Sequence, residues 1–273
     1  MKPTNYLLPA LALALGLGVA TSCSKSEKAT DNTIEFKTIS KTVNYQLEGT
    51  AKAYQSDNDI QYQDSATVIL PVKIYGHDIK PLQDTIMSVA FDTIAPTFDE
   101  AINSLFVKAV ADVGYEYKVA PDSLPRNDID GSTIIEGEVY SISLDMLTYR
   151  ITSYTYFPAA AHGLTLTNYV TYDLRKGQVI NLQDLFTPAG LKQLPGLIAQ
   201  RAKELEPAIG PTDIMALPSQ GNFFIGLDDT ITFVYQPYEV ASYAQGLIAI
   251  SFYPYQLTEL MTPLGLEIFH LNL

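Results

Sequence analysis

The sequence predicts an α+β protein of two lobes, each an antiparallel sheet packed with one main helix. Alternating strand patterns from Ile34 to Ile74 run into an amphipathic helical stretch, which predicts the first lobe. Strand patterns return from Ile134 to Leu174 and are followed by a second helical stretch, Ala189 to Leu205, which predicts the second. Composition agrees, because 18 Tyr and 11 Phe with no Trp, alongside many Thr and Val, favour pleated surfaces.

In the first lobe Val43, Tyr45 and Leu47 share one strand face, as do Ala66, Val68 and Leu70, with a turn cluster at Gln55 to Asp59 between them. A helix then starts after Pro96, with Thr97 and Glu100 at capping-box spacing and Phe98, Ile102, Leu105, Phe106, Ala109 and Val113 on one face. The stretch Ala120 to Ser132, rich in Pro and Asp, is expected to link the lobes. In the second lobe, strands at Ile134 to Ser143 and Met146 to Phe157 form a hairpin across Leu144-Asp145, and another strand runs from Leu164 to Leu174. Arg175-Lys176-Gly177 turns into Val179-Ile180, and Leu182, Leu185 and Phe186 start a short helix. Pro195 is expected to mark a break in the following helix or a new first turn, since an interior proline costs about 3 kcal/mol. Asn222 to Leu227 and Ile231 to Tyr235 form a hairpin over Asp228-Asp229-Thr230. A strand at Gly246 to Phe252, a short helix at Tyr255 to Met261 and a strand at Leu266 to His270 complete the pattern.

The first residues carry a different signal. Lys2, an apolar stretch from Tyr6 to Ala20 interrupted by Pro9, and Ala20-Thr21-Ser22 lead into Cys23, the single cysteine. The stretch falls short of the ~20 residues that span a bilayer, so residues 1–22 are expected to be a cleaved signal peptide. Small residues before Cys23 resemble a bacterial lipobox, and acylation accounts for a thiol without a disulfide partner in an exported protein. Residues 23–32 would then be a lipid-anchored tether, and the expected address is the cell envelope, in the outer membrane, with Glu27 and Asp31 leaving the leaflet open. No cytosolic segment is expected before the leader.

Removing Lys2 from the 17 Lys plus Arg leaves 16 against 30 Asp plus Glu, a formal charge of −14. Such a body repels phosphate backbones, which argues against nucleic acid, and it steers a basic partner toward itself.

Two blocks carry a family resemblance. The first is Tyr154 to Gly163 with its Ala-Ala-Ala-His162 run, continued by Tyr172-Asp173-Leu174, Gly177, Leu182, Asp184, Leu185 and Phe186. The second is Phe223 to Leu227, Phe233, then Pro237, Tyr238, Glu239, Val240, Ala241, Tyr243, Ala244 and Gly246, and Ile250 to Leu257. Together they resemble the DUF3298 family over residues 133–262, and residues 33–119 occupy the place of a DUF4163-like companion lobe. The family includes the extracellular part of RsiV-type anti-sigma factors and the amino-terminal region of the peptidoglycan deacetylase PdaC. Ala160-Ala161 and Gly163 stand where members usually carry a glycine pair and often a proline. The resemblance implies a non-enzymatic lipoprotein that binds or senses an extracytoplasmic ligand, either a basic lysozyme-like protein or a peptidoglycan fragment. Without a cytoplasmic segment, sigma-factor signalling is not expected.

Four residues are the candidates for ligand contact: His162, Tyr238, Glu239 and Tyr243, because Tyr and Glu in an irregular stretch offer flat apolar area with polar edges. His162 is expected in a tight connection between strands, with its ring near Asp173 or Asp184 or bonded to backbone. Neither HxxxH nor HExxH spacing exists, and CxxC pairs, GxSxG elbows and phosphate-cradling glycine loops are missing, so no metal or cofactor is expected. Thr97 to Glu100 resembles a deacetylase strand end but lacks the histidine pair that would complete that metal site, and Asp228-Asp229 lacks the ligand spacing of a calcium loop. The competing expectations are an envelope glycan-modifying enzyme built on His162, Asp173 and Asp184, and a structural partner of an outer-membrane complex.

Overall fold

The computed structural model describes residues 33–48, 60–112, 116–119, 130–157, 160–205 and 214–271. The leader, Cys23 and the tether lie outside the described residues, as do the 55–59 turn cluster and residues 120–129 of the expected linker.

Alternation produces two long strands, β1 (Ile34–Glu48) and β2 (Ile60–Ile74), paired antiparallel with Tyr45 opposite Tyr62 and Val43 opposite Asp64. Two helices follow, α1 (Lys80–Phe91) and α2 (Phe98–Asp112), and then β3 (Glu116–Val119), which pairs with the end of β1. Thr97 caps α2 as the spacing predicts, with the Glu100 N–H donating to Thr97 Oγ1 at 3.2 Å, which is one half of the expected capping box. Next come β4 (Gly131–Ser143), β5 (Met146–Tyr156), β6 (Leu164–Asp173) and β7 (Gln178–Ile180). The β4–β5 hairpin turns on Leu144 and Asp145, both at positive φ (50° and 59°), the pattern that a two-residue turn of type I′ requires.

These strands form one seven-stranded sheet in the order β3-β1-β2-β4-β5-β6-β7. Every pairing is antiparallel except β2 with β4, where Asp64 sits beside Thr133. That parallel pair joins the sheets of the two sequence regions. The core over this sheet accordingly mixes them, with Val68, Ile86, Phe91 and Ile102 packed against Ile135, Tyr149 and Tyr172.

A second core lies under α3 (Leu182–Leu185), α4 (Pro188–Leu205), β8 (Phe223–Ile225), β9 (Ile231–Tyr235), β10 (Ile248–Phe252) and α5 (Pro263–Ile268). The three strands make a small antiparallel sheet, β10-β9-β8. α4 runs unbroken through Pro195, because Leu194, Ile198, Ala199 and Ala202 bury its inner face and offset the one lost backbone bond.

The α+β class and its sheet-based lobes agree with the expectation, while several elements differ. The first lobe carries two helices instead of one: α1 has Leu82, Ile86, Met87 and Ala90 at helical spacing behind Pro81. Tyr255 to Met261 forms two 3₁₀ turns, 254–256 and 258–260. Leu266 to His270 is not a strand, since Thr262 caps α5 by accepting the Gly265 N–H at 3.0 Å and Pro263 pre-sets its first turn. Among the described residues no helix is long and apolar enough to cross a membrane.

Of the two fully buried acids among the described residues, Asp64 and Asp173, Asp64 is the less well partnered. Asp64 is fully buried on β2 and neither of its oxygens has a full hydrogen bond. Thr133 faces it, but the Thr133 hydroxyl is shared with Tyr62 Oη at 2.8 Å. Burial outweighs what Thr133 returns, and the Asp64 carboxyl is pushed up to about 7.

Candidate functional site

Two connections meet at one end of the large sheet. The β5–β6 connection carries His162, and the β9–β10 loop, residues 236–247, carries Tyr238 and Tyr243. The His162 and Tyr243 rings stack with centroids 3.9 Å apart and planes 19° from parallel. Tyr238 lies beside them, 5.5 Å from the Tyr243 centroid and 6.4 Å from that of His162. Stacking of this kind is worth about 0.5–1.5 kcal/mol per pair beyond burial.

The Gly163 carbonyl is the hub of the arrangement. It accepts the Tyr243 hydroxyl at 2.7 Å and faces His162 Nδ1 at 3.0 Å. With Nδ1 donating to that carbonyl, the neutral ring keeps Nε2 as an acceptor, and Tyr238 Oη, 3.2 Å away, donates to it. Glycine is needed at 163 because a Cβ there would lie 2.3 Å from the Tyr154 ring.

Tyr238 is held in an unusual backbone state. Gln236 to Glu239 form a turn closed by the Glu239 N–H donating to the Gln236 carbonyl at 3.0 Å, with Pro237 second and Tyr238 third at φ 69°. A left-handed third residue is the place of glycine in a type II turn. Tyrosine there costs about 1 kcal/mol or more and persists only where its surroundings fix it. Glu239 supplies the fixing. Its Oε2 accepts the Gln236 N–H at 2.7 Å, and its Oε1 accepts the Ser219 N–H at 2.6 Å and the Ser219 hydroxyl at 2.9 Å. The strained turn leaves the Tyr238 ring 60 % exposed.

Of the four candidate contacts, three thus converge on one surface and the fourth, Glu239, braces the loop behind it. A cavity of about 340 Å³ opens next to the stack, lined by Thr165, Pro237, Tyr243, Ala244 and Leu247. His162 finds the backbone partner foreseen for it. It does not meet Asp173 or Asp184. Asp173 ends the ten-residue β6, roughly 30 Å from its start at ~3.3 Å per residue, and is fully buried, its Oδ1 accepting the Arg175 and Lys176 N–H groups. Asp184 is the third residue of the α3 cap, its Oδ2 accepting the Asn181 N–H at 2.7 Å. The polar cluster on which the enzyme reading rested is therefore not assembled. Asp228 is a turn residue, accepting from the Thr230 hydroxyl at 2.8 Å. Among the described residues no group of three His, Cys, Asp or Glu is placed to hold a metal ion.

Two residues outside the candidate set hold the surface in place. β7 covers only Thr171 to Asp173 of β6, and the edge before it is covered by amide side chains. Gln236 accepts the Thr167 N–H at 3.0 Å and donates to the Thr167 carbonyl at 2.7 Å. Asn222, buried, accepts the Tyr169 N–H at 3.0 Å and donates to the same Thr167 carbonyl at 2.8 Å. In the sequence Asn222 opens the strand pattern Asn222 to Leu227, and nothing local marks its side chain as an edge partner.

Comparison with protein families finds a match over residues 183–255 to the family described as "Protein of unknown function (DUF3298)". This segment carries a DUF3298 domain. The DUF3298 segment runs from α3 to the 254–256 turn, so it contains Asn222, Gln236, Tyr238, Glu239 and Tyr243, while His162 lies before it. Two solved DUF3298 family structures share the fold. One, from Bacteroides fragilis, aligns over 89 % of this chain and 99 % of its own at 20 % identity and a TM-score of 0.63. The other, from Pseudomonas aeruginosa, aligns over 86 % of this chain and 97 % of its own at 14 % identity and a TM-score of 0.54. No curated protein matches.

Proposed function

We propose that this chain is a lipid-anchored protein of the bacterial cell envelope that binds or senses an extracytoplasmic ligand through its His162–Tyr243–Tyr238 surface and turns over no substrate. Convergence of three rings, from positions about 80 residues apart, on one exposed stack is the observation that carries the reading. Aromatic residues held rigid beside water are the side chains that most often anchor a binding partner. The strain stored at Tyr238 adds support, since such backbone states cluster at binding sites. A formal charge of −14 once Lys2 is removed with the leader favours a cationic partner, and the RsiV-like resemblance, with residues 33–119 as the DUF4163-like lobe, makes that partner a lysozyme-like protein, or else a peptidoglycan fragment.

Titration of the chain with lysozyme is expected to show binding at low salt that weakens as salt screens the opposite charges. Absence of binding at low salt removes the lysozyme version. Tyr238→Gly separates contact from folding: it removes the ring and relieves the left-handed strain, so affinity should fall at least about tenfold while Tm does not drop. Affinity unchanged in this variant would move the ligand to another surface. The anchor has its own test, because palmitate fed to cells should label the wild-type chain and leave Cys23→Ser unlabelled; equal labelling of both overturns it.

A further inference from the structure

A second, independent site lies where the β8–β9 hairpin meets the outer face of the large sheet. In the β4–β5 ladder Val139 pairs with Tyr149 and Ser141 with Thr148, which leaves Tyr140 as the extra residue of a β-bulge. Bulges re-aim a side chain, and they recur beside functional sites. Here the bulge turns the Tyr140 ring over a cleft of about 450 Å³, within the range of small-molecule sites, that is also lined by Phe224, Leu227, Asp228, Thr232 and Ser251.

The ring is locked from behind. It meets Tyr169 and Phe224 edge-on at 5.4 and 5.2 Å, and the Arg150 guanidinium, ion-paired with Glu138, lies 5.1 Å from its centroid. Its open side is 41 % exposed, and Leu227 across the cleft is 75 % exposed. Polar groups line the opposite part. Thr232 Oγ1 and Ser251 Oγ sit 2.9 Å apart, and since one hydroxyl proton serves that bond, the other is free to donate while both oxygens can accept. Asp228, exposed at the hairpin, accepts the Thr230 hydroxyl with Oδ1 and so carries its second carboxylate oxygen at the cleft.

We infer that this cleft binds a neutral sugar ring of a glycan chain. An aromatic face receives the C–H face of a pyranose, and a paired hydroxyl floor with a carboxylate oxygen matches its ring hydroxyls, each of which donates and accepts. Among the described residues that line the cleft Asp228 alone is charged, and the nearby Arg150 is already ion-paired with Glu138, so an anionic sugar, phosphate or nucleotide meets the Asp228 carboxylate with little to offset it. The hydroxyl floor likewise disfavours a purely apolar guest, which would leave it unpaired. The cleft shares no lining residue with the His162 surface, so this inference stands apart from the ligand proposed there.

Calorimetric titration of the full chain in detergent micelles tests it, with cellotriose and the trimer of N-acetylglucosamine as neutral probes and trigalacturonate as the anionic one. Binding of at least one neutral probe at about millimolar affinity or tighter is expected, with trigalacturonate at least about tenfold weaker. Tyr140→Ala should weaken the neutral probe at least about tenfold. If that variant folds poorly, Leu227→Arg, placed at an exposed position, blocks the cleft without touching the core and should do the same. No binding of either neutral probe, equal binding of trigalacturonate, or neutral binding that survives Leu227→Arg overturns the inference.

Discussion

Replacing Asp64 by Asn is expected to raise thermal stability at pH 8 and to leave it nearly unchanged at pH 4. Burial pushes the native Asp64 carboxyl up to about 7, against the ordinary 3.8 of an aspartate in the unfolded chain. Below pH 4 both states hold the proton, and Asp64 adds no pH dependence there. Between pH 4 and 7 the unfolded chain releases its proton and the folded one does not, so stability falls by up to ~1.4 kcal/mol per pH unit. Over about three units the loss approaches ~4 kcal/mol and then levels off above pH 7. Asn has the same shape and no charge to bury, so the penalty disappears. For a chain of this size ~1 kcal/mol moves Tm by about 2–4 °C, which puts Asp64→Asn roughly 8–16 °C above wild type at pH 8. Other carboxylates titrate alike in both proteins, so the difference between the two Tm–pH curves isolates Asp64. A difference that does not change from pH 4 to pH 8 would show that the acid is not held neutral by the core.

Asp64 also marks where reading the sequence reaches its limit. The pattern from Ile34 to Ile74 is periodic enough to show that residue 64 shares the inward face with Ala66 and Val68, and the structure buries it there. What the pattern does not contain is the neighbour. The Thr133 beside Asp64 arrives by the parallel β2–β4 pairing, a contact between residues 69 apart that no local signal encodes. The features legible in advance are those with short-range chemistry: the Thr97 cap, the Leu144-Asp145 turn, the Arg175-Lys176-Gly177 turn and the strands that flank them. Leu266, Ile268 and His270 alternate as a strand does, but the capping threonine followed by proline just before them is the stronger signal, and α5 forms instead. α1 carries a fainter signal, its start marked by proline but by no side-chain cap. At the site, residue type was enough to pick out His162, Tyr238 and Tyr243. The role of Glu239 was not legible, because its partner Ser219 lies in a segment without periodicity, and only the folded loop reveals that the carboxylate faces inward.

The edge of β6 supplies the second large effect, and it concerns the same surface. Asn222 and Gln236 replace a missing strand neighbour by clasping Thr167 and Tyr169, and both donate to the one Thr167 carbonyl. Asn222→Ala orphans the buried-edge N–H of Tyr169 and leaves Thr167 with the Gln236 bond, for an expected loss of about 2–3 kcal/mol. Gln236→Ala orphans the Thr167 N–H and leaves its carbonyl with Asn222, for about 1–2 kcal/mol in a less buried place. In the double variant the carbonyl has no partner left, so the combined loss should exceed the sum of the single losses by about 1 kcal/mol or more. Urea denaturation of the four proteins measures this excess, and additivity within ~0.5 kcal/mol would mean that water takes the place of the side chains. A second readout follows from geometry. Gln236 opens the turn that carries Tyr238, and Tyr243 is bonded to the strand entry at Gly163, so the clasp sets the spacing between the two halves of the aromatic stack. Amide exchange at Tyr169 should accelerate in Asn222→Ala, and lysozyme affinity should fall with it although Asn222 contributes no ring to the stack. If exchange accelerates while affinity holds, the stack is positioned by Glu239 and Gly163 alone, and the clasp serves only to seal the strand edge.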